Sequence, residues 1–567
     1  MIMKKQRLFA VASIIFLASV SWYLIISQGL PAGDLDDWNH ILRSEDRKWS
    51  TDLIPNLIRP WSKSKFWTGQ IDRSYHRIGH DSSLKLVASS KLGDNDFAYY
   101  LISKAPFFAG TITIFFILCY FLTQSFRYAL PGTLFFLLVP AQYAHILWLS
   151  DATTLANFCT ILSFLFAFLT FENIRQKHSP SSFMLILFAT HFVAWFGIRT
   201  KESSLIVPLV MGSYGILKLH TWRTEKFKLF LLFLSAAHLV FLIVPIEQLS
   251  SHPTVGTVPF QWNHISRMVL KNYSTGYEPE PTSAFFSAAQ IWPSSIARTF
   301  GFFFLWTIVI HIAIYLINKK RDSGNISSIL SKSPLVVLLS IWIFLEIPLM
   351  GRFQADPRYF CGTMVPLSLL ATRIIQCAHE TSVIFLKRIL IAISLFSFIW
   401  TVPYVNLQHT IWLRLQIGQK FNYFIETAKT IHADLFPTDK AGLREIGRFY
   451  CSTCAPGKKN QPKIENYLYY CELPFDGWGK DKSGSIEQFR HFAEKGYIYY
   501  VAYQLPTALL KHSNIEYVAL INGKNSGSFF EKFLYSIKKK SPSTLHILKW
   551  RNVQSRFPNA VEQFVKD

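Results

Sequence analysis

Long apolar stretches constrain this chain more than any other feature. They run Leu8–Gln28, Ala105–Gln124, Ala129–Trp148, Leu155–Phe171, Ser182–Ile198, Leu205–Leu219, Phe227–Ile246, Arg298–Ile317, Pro334–Met350, Gly362–Gln376 and Lys387–Val405. A helix crosses about 30 Å of hydrocarbon with roughly 17 to 25 residues, so about eleven spans are expected, two of them short. Half of the residues are hydrophobic and only 16% are charged. Soluble domains carry about 25% charged residues, which argues against a water-soluble multidomain enzyme. The net charge of +23 does not imply nucleic acid as a partner, because the basic residues sit between apolar segments. Lys4, Lys5 and Arg7 open the first stretch as in a signal peptide. The run is long and lacks an Ala-x-Ala site near its end, so it is expected to be a retained anchor.

Cationic loops resist translocation, which orients the spans. With Lys4, Lys5 and Arg7 in the cytoplasm, alternation puts Arg127, Arg175, Lys177, Arg223, Lys226, Lys228, Lys319, Lys320, Arg321, Lys387 and Arg388 on that side too. The other side receives the loops 29–104, 150–153, 199–203, 247–297 and 351–361, and the tail after Asn406. The expected fold class is therefore a mostly α, polytopic helical bundle, N-terminus in and C-terminus out, spanning residues 1–405. Residues 406–567 are expected to form a small soluble extracytoplasmic α/β domain. In it Leu415–Leu435 has an amphipathic helical pattern, Tyr497–Tyr503 and Ile515–Ile521 read as strands, Ser528–Lys540 reads as helix, and Asn522-Gly523 is a turn signal.

The cysteines divide by side. Cys119, Cys159 and Cys377 fall within spans or at their cytoplasmic ends, while Cys361, Cys451, Cys454 and Cys471 fall on the exported side. An oxidising compartment favours a structural disulfide among the three tail cysteines, with one left over. A zinc site would need a fourth ligand, and a redox Cys-x-x-Cys would open a helix in a thioredoxin-like unit that the pattern lacks.

Ionisable groups at membrane depth are costly and usually line a functional cavity. Four clusters share the outer side: Asp34, Asp36, Asp37 and His40 after the first span; Ser150-Asp151; Arg199, Lys201 and Glu202; and Arg352, Asp356, Arg358 and Tyr359. Each also has a plain structural reading. Asp151 could cap a helix with Ser150, and Arg199 and Lys201 could be anchors that snorkel to the interface. Taken together, they suit transfer from a phosphate leaving group. A carboxylate accepts the proton of an incoming hydroxyl, and Lys and Arg neutralise the departing phosphate. Asp37 and Asp151 could also hold a divalent cation.

Four motifs then resemble a known family. They are Asp36-Asp37 in a long first loop continuing to Arg59-Pro60; Trp148-Leu-Ser-Asp151 leading into Thr154-Leu-Ala; Thr200-Lys201-Glu202 followed by Pro208; and Arg358-Tyr359 followed by Pro366. In their order along the chain they look like the GT-C superfamily of integral membrane glycosyltransferases, in its protein O-mannosyltransferase and aminoarabinose transferase branches. The resemblance covers about residues 8–405.

It implies an inverting transfer of a sugar from a polyprenyl-phosphate carrier to a glycan, lipid or protein acceptor on the extracytoplasmic side. Asp36 or Asp37 would be the general base, and Asp151 would shape the donor or metal site. Lys201, oriented by Glu202, and Arg358 with Tyr359 would contact the carrier phosphate, with Arg352 as a further candidate. The divalent ion would be magnesium, manganese or calcium, with Asp37, Asp151 and His80 as candidate ligands; His80 reads equally well as a surface histidine. A bacterial inner membrane suits the layout, with membrane lipids as surroundings. The alternatives are an O-antigen polymerase or ligase and a lipid-linked sugar transporter or flippase. His191, His238, His311 and Glu346 are the ionisable residues nearest the midplane that a transporter would use.

Overall fold

The computed structural model describes residues 2–28, 40–55 except 43, 45 and 46, 78–90, 96–137, 149–241 except 150, 310, 334–350, 361–393 except 383, 418–437, 442, 445–446, 449, 468–470, 490–502 except 492, 511–522 and 544–551. It is mostly helical. In chain order the helices are α1 (Ile2–Gln28), α2 (Ile78–Ala88), α3 (Asp96–Ser103), α4 (Ala105–Thr123), α5 (Phe126–Leu137), α6 (Thr153–Arg175), α7 (Pro180–Thr200), α8 (Ile206–Lys218), α9 (Lys226–Phe241), α10 (Pro334–Met350), α11 (Cys361–Thr381) and α12 (Gly418–Leu435). Residues 384–393 are also helical.

Among the described residues three helices are long and apolar enough to cross a membrane: Ala98–Thr123, Thr153–Arg175 and Pro180–Thr200. Shorter apolar helices cover Phe9–Trp22, Ser203–Lys218 and Pro334–Glu346. The expected span Arg298–Ile317 apart from Ile310, and most of Lys387–Val405, lie outside the described residues. The last part of the expected first loop, 29–104, is helical. Residues 96–103 are already helical and join α4 in one apolar segment, with a break at Lys104 ahead of Pro106 in the first turn of α4.

The helices pack through aromatic pairs. Phe115 of α4 stacks on Phe136 of α5 with centroids 3.9 Å apart, Phe164 of α6 meets Trp342 of α10 at 4.7 Å, and Phe171 of α6 meets Tyr214 of α8 at 4.6 Å. Outward faces are equally apolar: Leu185 and Phe188 of α7 are 71% and 68% exposed. Helices that are hydrophobic all round suit a bilayer better than water.

Contacts at helix ends set the direction of the chain. Gln376 near the end of α11 donates to the Thr123 carbonyl at the end of α4 (2.8 Å), and Lys228 at the start of α9 donates to the His178 carbonyl in the α6–α7 turn (2.8 Å). Gly362 at the start of α11 faces Glu346 near the end of α10: a Cβ there would stand 3.6 Å from Oε1. The antiparallel α6–α7 hairpin thus places the beginning of α6 beside the end of α7.

In the tail, β1 (Leu468–Tyr470), β2 (Tyr499–Ala502), β3 (Ile515–Asn522) and β4 (Thr544–Trp550) form one sheet in the order β1-β2-β4-β3. β1 is parallel to β2 and the other pairs are antiparallel, with a bulge between Tyr517 and Ala519. α12 rests on this sheet: Asp434 accepts from Lys549 at 2.6 Å and from the Tyr499 hydroxyl. The expected helix and both expected strands are present. The expected helix Ser528–Lys540 and the cysteines Cys451, Cys454 and Cys471 lie outside the described residues, as does the side chain of Cys361.

Candidate functional site

Three helix ends build the site, and proline chemistry positions two of them. Pro208, in the first turn of α8, has no N–H to offer the carbonyl of residue 204, which removes a helical hydrogen bond where α7 gives way to α8. α7 stops at Thr200, Lys201 is extended (φ −161°, ψ 140°), and Glu202–Leu205 form a 3-10 turn before α8. The break turns Lys201 across to the start of α6. Gly197 allows the approach: a Cβ there would lie 2.8 Å from the Cβ of Cys159 on α6. Thr160 and Ser204 then share a hydrogen bond of 2.8 Å.

At this junction Lys201 Nζ lies 3.5 Å from Asp151 Oδ1 and donates to the Thr153 hydroxyl. The same carboxylate oxygen accepts the Thr153 N–H at 2.9 Å and the Thr153 O–H. Lys104, from the break between α3 and α4, donates to the Asp151 carbonyl at 2.5 Å. Asp151, Lys201, Lys104 and Arg199 are all buried. The plain reading of Asp151 is met in part, since its carboxylate accepts the N–H of Thr153, the first residue of α6, while Ser150 lies outside the described residues. Arg199 and Lys201 do not snorkel to a surface.

The first loop is docked on the same end. α2 leans on α7 at Gly79, where a Cβ would overlap the Thr200 hydroxyl at 2.1 Å. The next residues, His80 and Asp81, are 1% exposed, which corrects the reading of His80 as a surface histidine. Asp81 Oδ1 meets His40 Nδ1 at 3.1 Å and its Oδ2 pairs with Arg47; the His40 and His80 rings meet edge to face at 5.7 Å. Burial pushes the Asp81 carboxyl up, but the hydrogen bond from His40 and the charges of His40, Arg47 and His80 outweigh it and hold the group below the usual carboxylate range. An ionised carboxylate only accepts, so His40 Nδ1 carries the proton in this pair. The result is a strap. His40, three residues beyond Asp37, is tied through Asp81 and α2 to the residue preceding Lys201.

Two of the expected site residues, Asp151 and Lys201, are brought together. Asp36, Asp37, Arg352, Arg358 and Tyr359 lie outside the described residues, as does the Glu202 side chain. Sequence reasoning did not select Lys104, although a lysine directly ahead of a proline-opened span is a usable signal. It passed over Asp81 because no local pattern pairs it with His40 and Arg47.

Asp151 Oδ1 is engaged by the Lys201 ammonium and by Thr153, and among the described residues no group of three His, Cys, Asp or Glu is arranged to hold a metal; Asp37, the other expected carboxylate ligand, lies outside the described residues. The residues near mid-span are also engaged: His191 bonds Ser235 at 2.8 Å and His238 at 3.1 Å, and Glu346 accepts from the Trp342 indole at 2.6 Å. No protein-family model matches the sequence, and no curated protein is significantly similar to it.

Proposed function

We propose that this chain is an integral membrane glycosyltransferase of GT-C type, which moves a sugar from a polyprenyl-phosphate carrier to an acceptor hydroxyl on the extracytoplasmic side. The supporting observation is the buried junction of Lys201, Asp151 and Lys104 at the end of the helices to which the first loop is strapped. A lysine held by a carboxylate and a hydroxyl, in a water-poor end of a helical bundle, is a preorganised point charge for a phosphate oxygen. The strap supports delivery of the acidic loop segment to that phosphate.

In the proposed reaction the acceptor oxygen attacks the anomeric carbon opposite the phosphate. The bond from that carbon to the phosphate oxygen breaks, the electron pair leaves on the carrier phosphate, and Asp36 or Asp37 takes the acceptor proton. One displacement inverts the anomeric centre and needs no covalent sugar-enzyme intermediate. Lys201, with Arg358, Tyr359 and Arg352 from the loop after α10, stabilises the departing charge; Asp151 and Glu202 orient Lys201. The wider topology proposed is about eleven spans with the N-terminus inside, the tail outside, and a bacterial inner membrane as host.

The test is release of polyprenyl phosphate from a panel of polyprenyl-phosphate sugars by the full-length protein in liposomes. Asp36→Asn and Asp37→Asn should each fold, and at least one should abolish release. Lys201→Ala should raise the apparent KM for the donor more than that for the acceptor. Wild-type rates in both aspartate variants would overturn the base assignment, and an unchanged donor KM would overturn the phosphate role of Lys201.

A further inference from the structure

At the opposite end of α7 from Lys201, about 31 Å away by helix rise, the α8–α9 turn carries a groove of about 530 Å³ lined by Leu219, His220, Lys226, Leu229, Phe230 and Phe233. The Lys228–His178 bond fixes its level at the α6–α7 turn. Its walls are apolar and open, with Phe230 62% exposed. Its rim is cationic. Lys228 is buried and neutralised by Glu225 at 3.0 Å, whereas Lys226, two residues earlier, is exposed and forms no ion pair or hydrogen bond with a described residue; the same holds for His220. An uncompensated cation beside open phenylalanine and leucine is matched by an amphiphile with an anionic head. Basic pockets between membrane helices take acidic lipid head groups for this reason.

We infer that the α8–α9 groove binds an anionic phospholipid, with its phosphate against Lys226 and His220 and an acyl chain along Phe230 and Phe233. The apolar walls select a lipid over free phosphate. The site requires that these helices lie in a bilayer but not that the chain transfers sugar, and its distance from Lys201 separates it from the proposed carrier site.

The experiment is native mass spectrometry of the full-length protein in mild detergent, titrated with phosphatidylglycerol or with phosphatidylcholine of the same acyl chains. Phosphatidylglycerol should be retained at least about fivefold better. The His220→Ala/Lys226→Ala variant should lower that retention about fivefold or more, and Phe230→Ala should lower it as well. Lys177→Ala, exposed in the neighbouring α6–α7 turn, should leave it unchanged. Equal retention of the two lipids would overturn the inference, as would an equal loss with Lys177→Ala. Displacement of phosphatidylglycerol by millimolar inorganic phosphate would make this a free-anion site and overturn it too.

Discussion

Replacing Lys201 by Met and Asp151 by Asn, singly and together, tests whether the junction of α6 and α7 is an energetic unit. The side chains are about 10% and 8% exposed and their charges lie 3.5 Å apart. Coulomb's law at an effective dielectric near 20 gives about 5 kcal/mol of gross attraction at that distance. Desolvation of both groups opposes it, so the net worth of the pair is much smaller than this. Removing one partner strands the other, which costs about 3 to 5 kcal/mol in buried pairs. Here the low end is expected, because Thr153 stays on the carboxylate of Asp151 and on the ammonium of Lys201. Each single replacement should therefore cost about 3 kcal/mol and the double about 4 kcal/mol, a coupling of about 2 kcal/mol. The assay is reversible unfolding in mixed micelles followed by far-UV circular dichroism. Additive single effects, within about 0.5 kcal/mol, would show that the two side chains do not stabilise each other and would refute the reasoning.

Gly79→Ala should unseat α2, since its Cβ would overlap the Thr200 hydroxyl, and faster proteolysis of residues 78–90 would report this. Adding Thr200→Ala should restore part of the protection by removing that oxygen; no recovery would place the defect elsewhere. The Asp81 strap should fail in acid. Because its carboxyl is held below the ordinary value of 3.8, the folded state binds fewer protons than the unfolded one, so its contribution is complete above that pH and fades as pH falls through the lower folded value. Hydrogen exchange of α2 between pH 6 and pH 3 should show this step in the wild type and lose it in Asp81→Asn; an identical step in the variant would assign it to another group. Asp81→Asn should also reduce transfer by lowering kcat more than donor KM, because it loosens the acidic loop and leaves Lys201 in place, whereas an isolated rise in donor KM would contradict a positioning role.

Much of the helical frame was legible because a bilayer-length apolar run has few alternatives to helix. Pro334–Met350 coincides with α10, and Leu155–Phe171 and Ser182–Ile198 fall within α6 and α7. Boundaries were less legible. α3 adds two amphipathic turns ahead of α4, and hydropathy alone counts such turns as loop. In the tail, two strands were visible from β-branched and aromatic runs, but β4 was not, because the Lys549 and His546 that it carries interrupt the apolar pattern.

Asp151 and Lys201 were recognisable one by one as polar groups at span ends, since charge beside an apolar run stands out in any sequence. Their pairing was not, because it depends on the hairpin that sets α6 against α7 and on Gly197 letting the backbones approach. Lys104 and the His40–Asp81–Arg47 strap belong wholly to the tertiary level: side chains far apart in sequence meet once α2 docks on Thr200. Residue order determined that this chain is apolar, mostly helical and polar at the ends of its helices. Packing alone decided which polar groups face one another, because the cost of burying a charge is met by partners that the linear sequence does not bring together.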